Sequence, residues 1–447
     1  MNSPTPQRRI AHLDMDAFFA SVSLLQFPQL KGLPLVIGGP RLDPEALLTR
    51  LKQAGADPTL TAAQLHEVPA RFFPRLRHYR GRGVITTATY EARQYGLHSA
   101  MGMAKAAPLC PDAILLPADF DTYRQVSRRF KQIITDIAPT MEDRGIDEVY
   151  IDFTHEPEGQ LEGGRVLATR IQSAILTATR LNCSIGVAPN KLLAKMASEF
   201  NKPAGISIVF EEDLERLIWP LPCYRINGIG PKTRGKLNGL GVETIGQLAA
   251  CSPAWLARHF GARQARWLHE SAWGRDGRPV ETHSEPVSLS RETTFERDLH
   301  PVHDRAELGR IFTRLAEQVA LDLQRKGYAG RTIGIKLRHA DFRVVSRDQT
   351  IQSPTQDATR IRAVAGQCLK RVDLSQRLRL LGIRVSSLHK LQYRASGTKP
   401  YPMTAESSKD RQACADDDGT TRDLQQLVLD FEAQPIASTS PHRKILR

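Results

Sequence analysis

The chain reads as an α+β, multidomain protein, and three features of its texture predict this. Over the first two hundred residues, short β-patterned runs alternate with segments of helical period. From Leu221 the pattern turns helical and is punctuated by glycine. After a stretch rich in Gly and charge, residues 288 to 390 mix strands and helices again, and beyond Leu391 periodicity is lost. At 447 residues the chain exceeds one typical core, and its length suggests about three units.

Residues 8 to 19 contain a strand running into a helix that begins near Ala17 and carries Phe18 and Phe19. Leu33 to Gly38 and Val84 to Ala88 are short β-rich runs bounded by glycine. Between them, Asp43-Pro44-Glu45 predicts a helix start with Asp as N-cap and Pro at N1, continuing to Lys52. Arg71 to Arg82 then interleaves five arginines with three aromatics. That composition suits either stacking on a single-stranded nucleic acid or a solvated basic surface.

Tyr123 to Ile137 has the period of an amphipathic helix, and Met141 to Phe153 that of an acidic hairpin. Val166 to Ala178 is a second helix, and Cys183 to Val187 a buried strand leading into a helix from Lys191. Together these predict an α+β sheet with helices on one face. Further on, Gly228-Ile229-Gly230-Pro231-Lys232-Thr233 and Leu240 to Leu248 have the form of a helix-hairpin-helix. Its glycines would let backbone amides approach a phosphate, with Lys232 and Thr233 beside them; glycine turns also simply join helices. Trp273 to Pro279 reads as a hinge. Helical patterns at His303 to Lys326 and Ala358 to Arg371, with β-rich runs at Thr332 to Arg338, Phe342 to Val345 and Leu378 to Leu388, form the last folded unit. The polar tail from Leu391 reads as disordered.

Net charge is +14 and the pI near 9.7, which favours a polyanionic partner. From Leu391 onward acids and bases balance at 8 each, so the whole excess precedes it. No apolar run approaches the length of a membrane span, and Met1 to Arg9 lacks the apolar centre of a signal peptide, so a cytoplasmic location is expected. The six cysteines (Cys110, Cys183, Cys223, Cys251, Cys368, Cys414) show no Cys-x-x-Cys spacing and read as reduced structural thiols.

The most informative feature is a set of acids inside β-patterned segments: Asp14 in His12-Leu13-Asp14-Met15-Asp16, and Asp147-Glu148 in Gly145-Ile146-Asp147-Glu148-Val149-Tyr150. Three converging carboxylates repel by about 4 kcal/mol per pair at 4 Å and an effective dielectric near 20, so apposition makes sense only around a cation. Oxygen ligands select Mg²⁺ or Mn²⁺ over zinc. Consecutive acids can share a site only at a turn or strand end, which Gly145 would permit. Alternatively, Asp147-Glu148 is a solvated hairpin tip.

Four motifs stand in one order: Asp14 to Val22, Tyr90-Glu91-Ala92-Arg93, Ile146 to Asp152, and Asn190 to Ser198. In these the chain resembles the Y-family translesion DNA polymerases, in their DNA polymerase IV branch, from about residue 8 to 390. The resemblance implies a right-hand polymerase: palm at 8–19 and 112–198, fingers at 20–111 with an unusually long insertion at 40–83, and a helical thumb at 199–273 with the helix-hairpin-helix. A linker at 274–287 would follow, then a separate little finger at 288–390 with two helices on a four-stranded sheet, and the tail at 391–447.

By the same resemblance Asp14, Asp147 and Glu148 are the catalytic acids and, with the Met15 carbonyl, hold two Mg²⁺ ions, for which Mn²⁺ can substitute. Asp16 would be structural. Phe18, Phe19, Tyr90, Arg93 and Lys191 would contact the dNTP, Arg93 as a fork, Tyr90 through one hydrogen bond and Lys191 as a point charge. Phe19 would be the steric gate against a 2′-hydroxyl. Gly228, Gly230, Lys232 and Thr233 would bind the primer-template backbone. Near the end, Gln426-Leu427-Val428-Leu429-Asp430-Phe431 looks like the bacterial sliding-clamp hexapeptide, with Gln426, Leu427, Leu429 and Phe431 as contacts. The implied activity is low-fidelity, template-directed synthesis past damaged bases by a monomer without proofreading. Two rivals are a DNA-binding, clamp-recruited scaffold lacking catalysis and a helix-hairpin-helix glycosylase or nuclease.

Overall fold

The computed structural model describes residues 6–39 and 44–391. The Asp43 cap, Cys414 and the Gln426–Phe431 motif lie outside the described residues. β1 (Ile10–Met15) passes through Ala17, at φ 45°, into α1 (Phe18–Gln26). β2 (Leu35–Gly38), α2 (Pro44–Gln53), β3 (Ile85–Ala88), α3 (Tyr90–Arg93), α4 (Met103–Ala106) and β4 (Ile114–Leu116) follow. β2 is central in this small sheet, antiparallel to β3 and parallel to β4. Next come α5 (Phe120–Ile137), β5 (Met141–Asp143), β6 (Glu148–Asp152), α6 (Arg165–Thr179), β7 (Cys183–Ala188), α7 (Lys191–Ala197) and β8 (Ile206–Ile208). The larger sheet has the order β5-β6-β1-β7-β8, with β1 antiparallel to both neighbours.

Strand alternation divides this sheet into two unlike faces. Leu13, Met15, Val149, Ile151, Ile185 and Val187 pack on Phe130 and Ile134 of α5 and on Leu167, Ile171 and Ile175 of α6. The opposite face carries Ile10, Tyr150 and Ala188, and α7 lies against it. Helices therefore cover both faces rather than one. Gly186 makes this possible: a Cβ there would stand 2.2 Å from Ser198 N and 2.3 Å from Ala194 O.

Between α2 and β3 the inserted segment has a core of its own chain and of its host. Phe73 is buried edge-on to Phe27 at 5.5 Å between centroids, and Leu51, Leu65 and Val68 are buried with it. Arg75 donates to Asp112 O and Ala70 O, each at 2.8 Å, and the Tyr79 hydroxyl accepts from Gly83 N at 2.9 Å. Phe73 and Tyr79 are thus committed to structure, and what faces water is the charge of Arg71, Arg77 and Arg80. Arg82 pairs with Asp298 in the C-terminal sheet.

The helical region contains α8 (Pro231–Gly239), α9 (Ile245–Ala250), α10 (Pro253–Phe260) and α11 (Ala262–Ala272). The predicted hinge beyond it is pinned. Asn190 Nδ2 donates to Gly274 O at 2.7 Å, Leu192 N to Asp276 at 3.1 Å, and Glu281 N to Glu142 at 2.9 Å. These ties end at Glu281.

β9 (Ser288–Leu299), α12 (Arg305–Lys326), β10 (Tyr328–His339), β11 (Val344–Thr355), α13 (Ala358–Leu369) and β12 (Leu378–Lys390) complete the described chain. The sheet, ordered β11-β10-β12-β9, is antiparallel throughout and buries its own core under two helices. β9 and most of β11 carry no strand signal in the sequence. They are edge strands with mostly solvated side chains, and only Phe295 and Leu299 of β9 are buried.

Candidate active site

Asp14 and Glu148 are direct cross-strand partners between β1 and β6. Asp147 stands one residue before β6, and its carbonyl accepts from Met15 N at 3.0 Å. The adjacent acids escape strict alternation because one of them precedes the strand. Gly145 is not what permits this: its φ is not positive, and a Cβ there would come no nearer than 3.6 Å to Glu148. The turn is tied by Asp143, which accepts from Gly145 N at 3.1 Å and from Lys131 at 2.8 Å.

Burial pushes the Asp14 carboxyl up to about 6, with Lys202 opposing the shift and Asp147 adding to it. Burial and the charge of Glu148 also raise Asp147. Contacts from His12 and Lys195 instead hold Glu148 down to about 2. Desolvation pushes the fully buried His12 imidazole down.

Among the described residues, no three His, Cys, Asp or Glu side chains converge tightly enough to hold a metal ion as they stand. Two ammonium groups sit among the acids instead: Lys202, 3.1 Å from Asp14 and 2.6 Å from Glu199, and Lys195 on Glu148. The donor set nonetheless fits a hard divalent cation. It offers carboxylate oxygens only, and two of the three acids are destabilised as anions by burial.

Asp16 is structural. Buried, it accepts from Ser184 Oγ at 2.8 Å, Ala204 N at 2.7 Å and the Tyr90 hydroxyl at 3.2 Å. The Tyr90 hydroxyl is thereby committed, and burial with Asp16 beside it raises the phenol. Arg93 lies over the Tyr90 ring at 4.7 Å, and its Nε donates to Ala88 O at 3.1 Å. Phe18 is buried against Tyr123 and Phe130, a core residue. Phe19 is only half-buried, its ring 4.7 Å from Tyr123 and 5.7 Å from Phe120.

Lys191 is not brought to the acids. It is 4% exposed, donates to Glu142 at 2.5 Å and to Pro279 O at 3.1 Å, and lies over the Tyr150 ring. The sequence reading missed Lys195 and Lys202. Lys195 had a usable signal, since it follows Lys191 by four residues on one helical face. Lys202, beyond the helix, had none.

In the helical region Gly228 has φ 109°, and a Cβ on it would meet the Trp267 ring at 2.8 Å. Gly230 caps α8 without a side-chain hydrogen bond, and Lys232 is exposed on the first turn. Thr233 beside it accepts from Gln264 Nε2 at 3.4 Å. Across the hairpin, Thr244 and Gln247 close a capping box at α9.

Comparison with known proteins places these features in one family. The model of the impB/mucB/samB family matches residues 13–199, its C-terminal domain model 286–397, and the IMS family HHH motif 211–242. The chain is 37% identical to DNA polymerase IV of Alkalilimnicola ehrlichii, over 86% of this chain and 96% of that protein. It is 34% identical to DNA polymerase IV of Stenotrophomonas maltophilia, over 86% and 95% of the two chains. For the Streptomyces coelicolor DNA polymerase IV the identity is 34%, over 85% and 71%. In fold it resembles a Y-family DNA polymerase chimera of Dbh and Dpo4, with a TM-score of 0.68 and 24% identity over 85% of this chain and 98% of that one. With the acids on β1 and β6, the glycine hairpin and the C-terminal four-stranded sheet in these places, the chain belongs to the DNA polymerase IV branch of the Y-family translesion polymerases and is a DNA-directed DNA polymerase.

Proposed function

We propose that the chain extends primers past damaged template bases with low fidelity, without proofreading, by two-metal nucleotidyl transfer from dNTP. Polymerases of this family depend on divalent metal ions. Asp14, Asp147, Glu148 and the Met15 carbonyl would hold two Mg²⁺, with Mn²⁺ able to substitute. When bound, such ions activate the primer 3′-oxygen and stabilise the leaving pyrophosphate. The observation that carries this reading is the cross-strand pairing of Asp14 with Glu148, with Asp147 at the adjoining turn.

The chain's own groups supply the rest. Arg93 meets the triphosphate as a fork, oriented by the Tyr90 ring beneath it. Lys202, beside Asp14, takes the cationic role that the sequence assigned to Lys191. Phe19 lies under the incoming sugar. The exposed backbone of Gly228 and Gly230, with Lys232 and Thr233, holds the DNA backbone, and the five-stranded and three-stranded sheets, α8–α11 and residues 288–390 serve as palm, fingers, thumb and little finger. Gln426, Leu427, Leu429 and Phe431 tether the enzyme to a sliding clamp. No helix of the described residues is long and apolar enough to cross a membrane.

Primer extension with Mg²⁺ tests the reading. Asp147→Asn should lower kcat by a factor of about 100 or more while DNA affinity is kept. Full-rate extension by this variant would reject Asp147 as a metal ligand, whereas DNA binding with no extension by the wild-type chain would favour a scaffold without catalysis.

A further inference from the structure

We propose that Lys195 is a built-in counter-cation that competes with a divalent ion for Glu148, and that His12 and Ser198 fix it there. This rests on the reading of Glu148 as a metal ligand. Hydrogen-bond directions on this face form a single consistent chain. Ser198 Oγ donates to Lys195 O at 2.9 Å, so its only proton is committed. His12 Nδ1 lies 2.8 Å from the same oxygen, and we assign it as the donor because Nε2 faces the Lys195 ammonium, which can only donate. That leaves Nε2 with a lone pair, and Lys195 Nζ stands 3.3 Å from it. The ammonium donates backward to His12 and forward to Glu148 Oε2, held between the two.

The ring cannot turn away toward water, because His12 is 0% exposed and sits in β1 two residues before Asp14. The carboxylate oxygen that receives the ammonium is the one 3.4 Å from the ring. A divalent ion bound to that oxygen at about 2.1 Å would stand roughly 4 Å from the ammonium, so the two cations repel each other and compete for the carboxylate. Lys202 on Asp14 is placed differently: its second acceptor is the half-exposed Glu199 carboxylate at 2.6 Å rather than a buried ring. The pinned lysine holds and aims the Glu148 carboxylate in the free enzyme, and ion capture proceeds against it.

Mn²⁺ binding to the full chain, without DNA or nucleotide, can be followed by the EPR signal of free Mn²⁺. Lys195→Met should tighten the dissociation constant by about tenfold, because it frees an oxygen as well as removing charge. Lys131→Met is the control. Lys131 acts on Asp147 through space but donates to Asp143 and Gly145 O, so its loss should change binding by less than about twofold. His12→Phe, which keeps the ring and removes the acceptor, should tighten binding by an intermediate factor. Circular dichroism checks that each variant is folded. Equal effects of Lys195→Met and Lys131→Met, or weaker binding by Lys195→Met, overturn the competition, and wild-type binding by His12→Phe overturns the pin. If no variant binds Mn²⁺, the metal-site reading falls and the competition falls with it.

Discussion

Phe18 and Phe19 are neighbours in sequence with opposite surroundings. Phe18 is sealed in the core and any substitution there reports on packing, whereas Phe19 is half open and backed by Phe120 and Tyr123. Under an incoming sugar, as proposed, a flat ring so backed could not retreat from an added hydroxyl, and the overlap would cost about 1–3 kcal/mol. Phe19→Ala should therefore raise ribonucleotide insertion relative to deoxyribonucleotide by roughly tenfold to a hundredfold, read from single-nucleotide incorporation, with primer extension retained. Lys191 carries the opposite lesson. Its ion pair with Glu142 is almost wholly buried, so Lys191→Met leaves that carboxylate only Arg144 at 3.4 Å and the Glu281 amide at 2.9 Å, and should cost about 3 kcal/mol in denaturant unfolding. The KM for dNTP should stay near wild type; a large rise in KM with unchanged stability would restore Lys191 to the nucleotide site. The sequence shows two lysines one turn apart on α7, and only tertiary packing decides which one meets an acid of the site.

Strands and helices were legible wherever a face is buried. β1, β7, α5 and α6 carry the periodicity of their buried sides, and Asp119 and Asn190 cap their helices by accepting from Thr122 N and Leu193 N. β9 and the far end of β11 escaped because an exposed edge strand needs no apolar alternation. The placement of α7 escaped for a different reason. It depends on the close approach at Gly186, and a glycine inside a strand pattern signals such an approach without naming the partner. Gly186→Ala should push α7 off the sheet and destabilise the fold by at least about 1–3 kcal/mol, measured as a lower urea midpoint. An unchanged midpoint would show that the helix can yield.

At the scale of the whole molecule, charge and the tail divide the work of holding substrate. All of the +14 excess precedes Leu391, where the proposed DNA contacts lie, so DNA affinity should fall steeply with salt. Beyond it, Leu429 and Phe431 could each contribute about 1.5–3 kcal/mol on burial in a partner, before ordering costs. Deleting 424–447 should abolish stimulation by a sliding clamp and leave basal primer extension unchanged; intact stimulation would show that the tether lies elsewhere.

The pinned segment after α11 sets how residues 288–390 can travel. With Gly274, Asp276, Pro279 and Glu281 fastened beside α7, only Thr282 to Val287 remain as leash, and the exposed Glu285–Lys390 pair restrains them weakly. So short a leash pays out to about 20 Å at full extension. Any swivel of the C-terminal sheet about this leash would have to break the Arg82–Asp298 pair, and its travel from Glu281 would stay within that length.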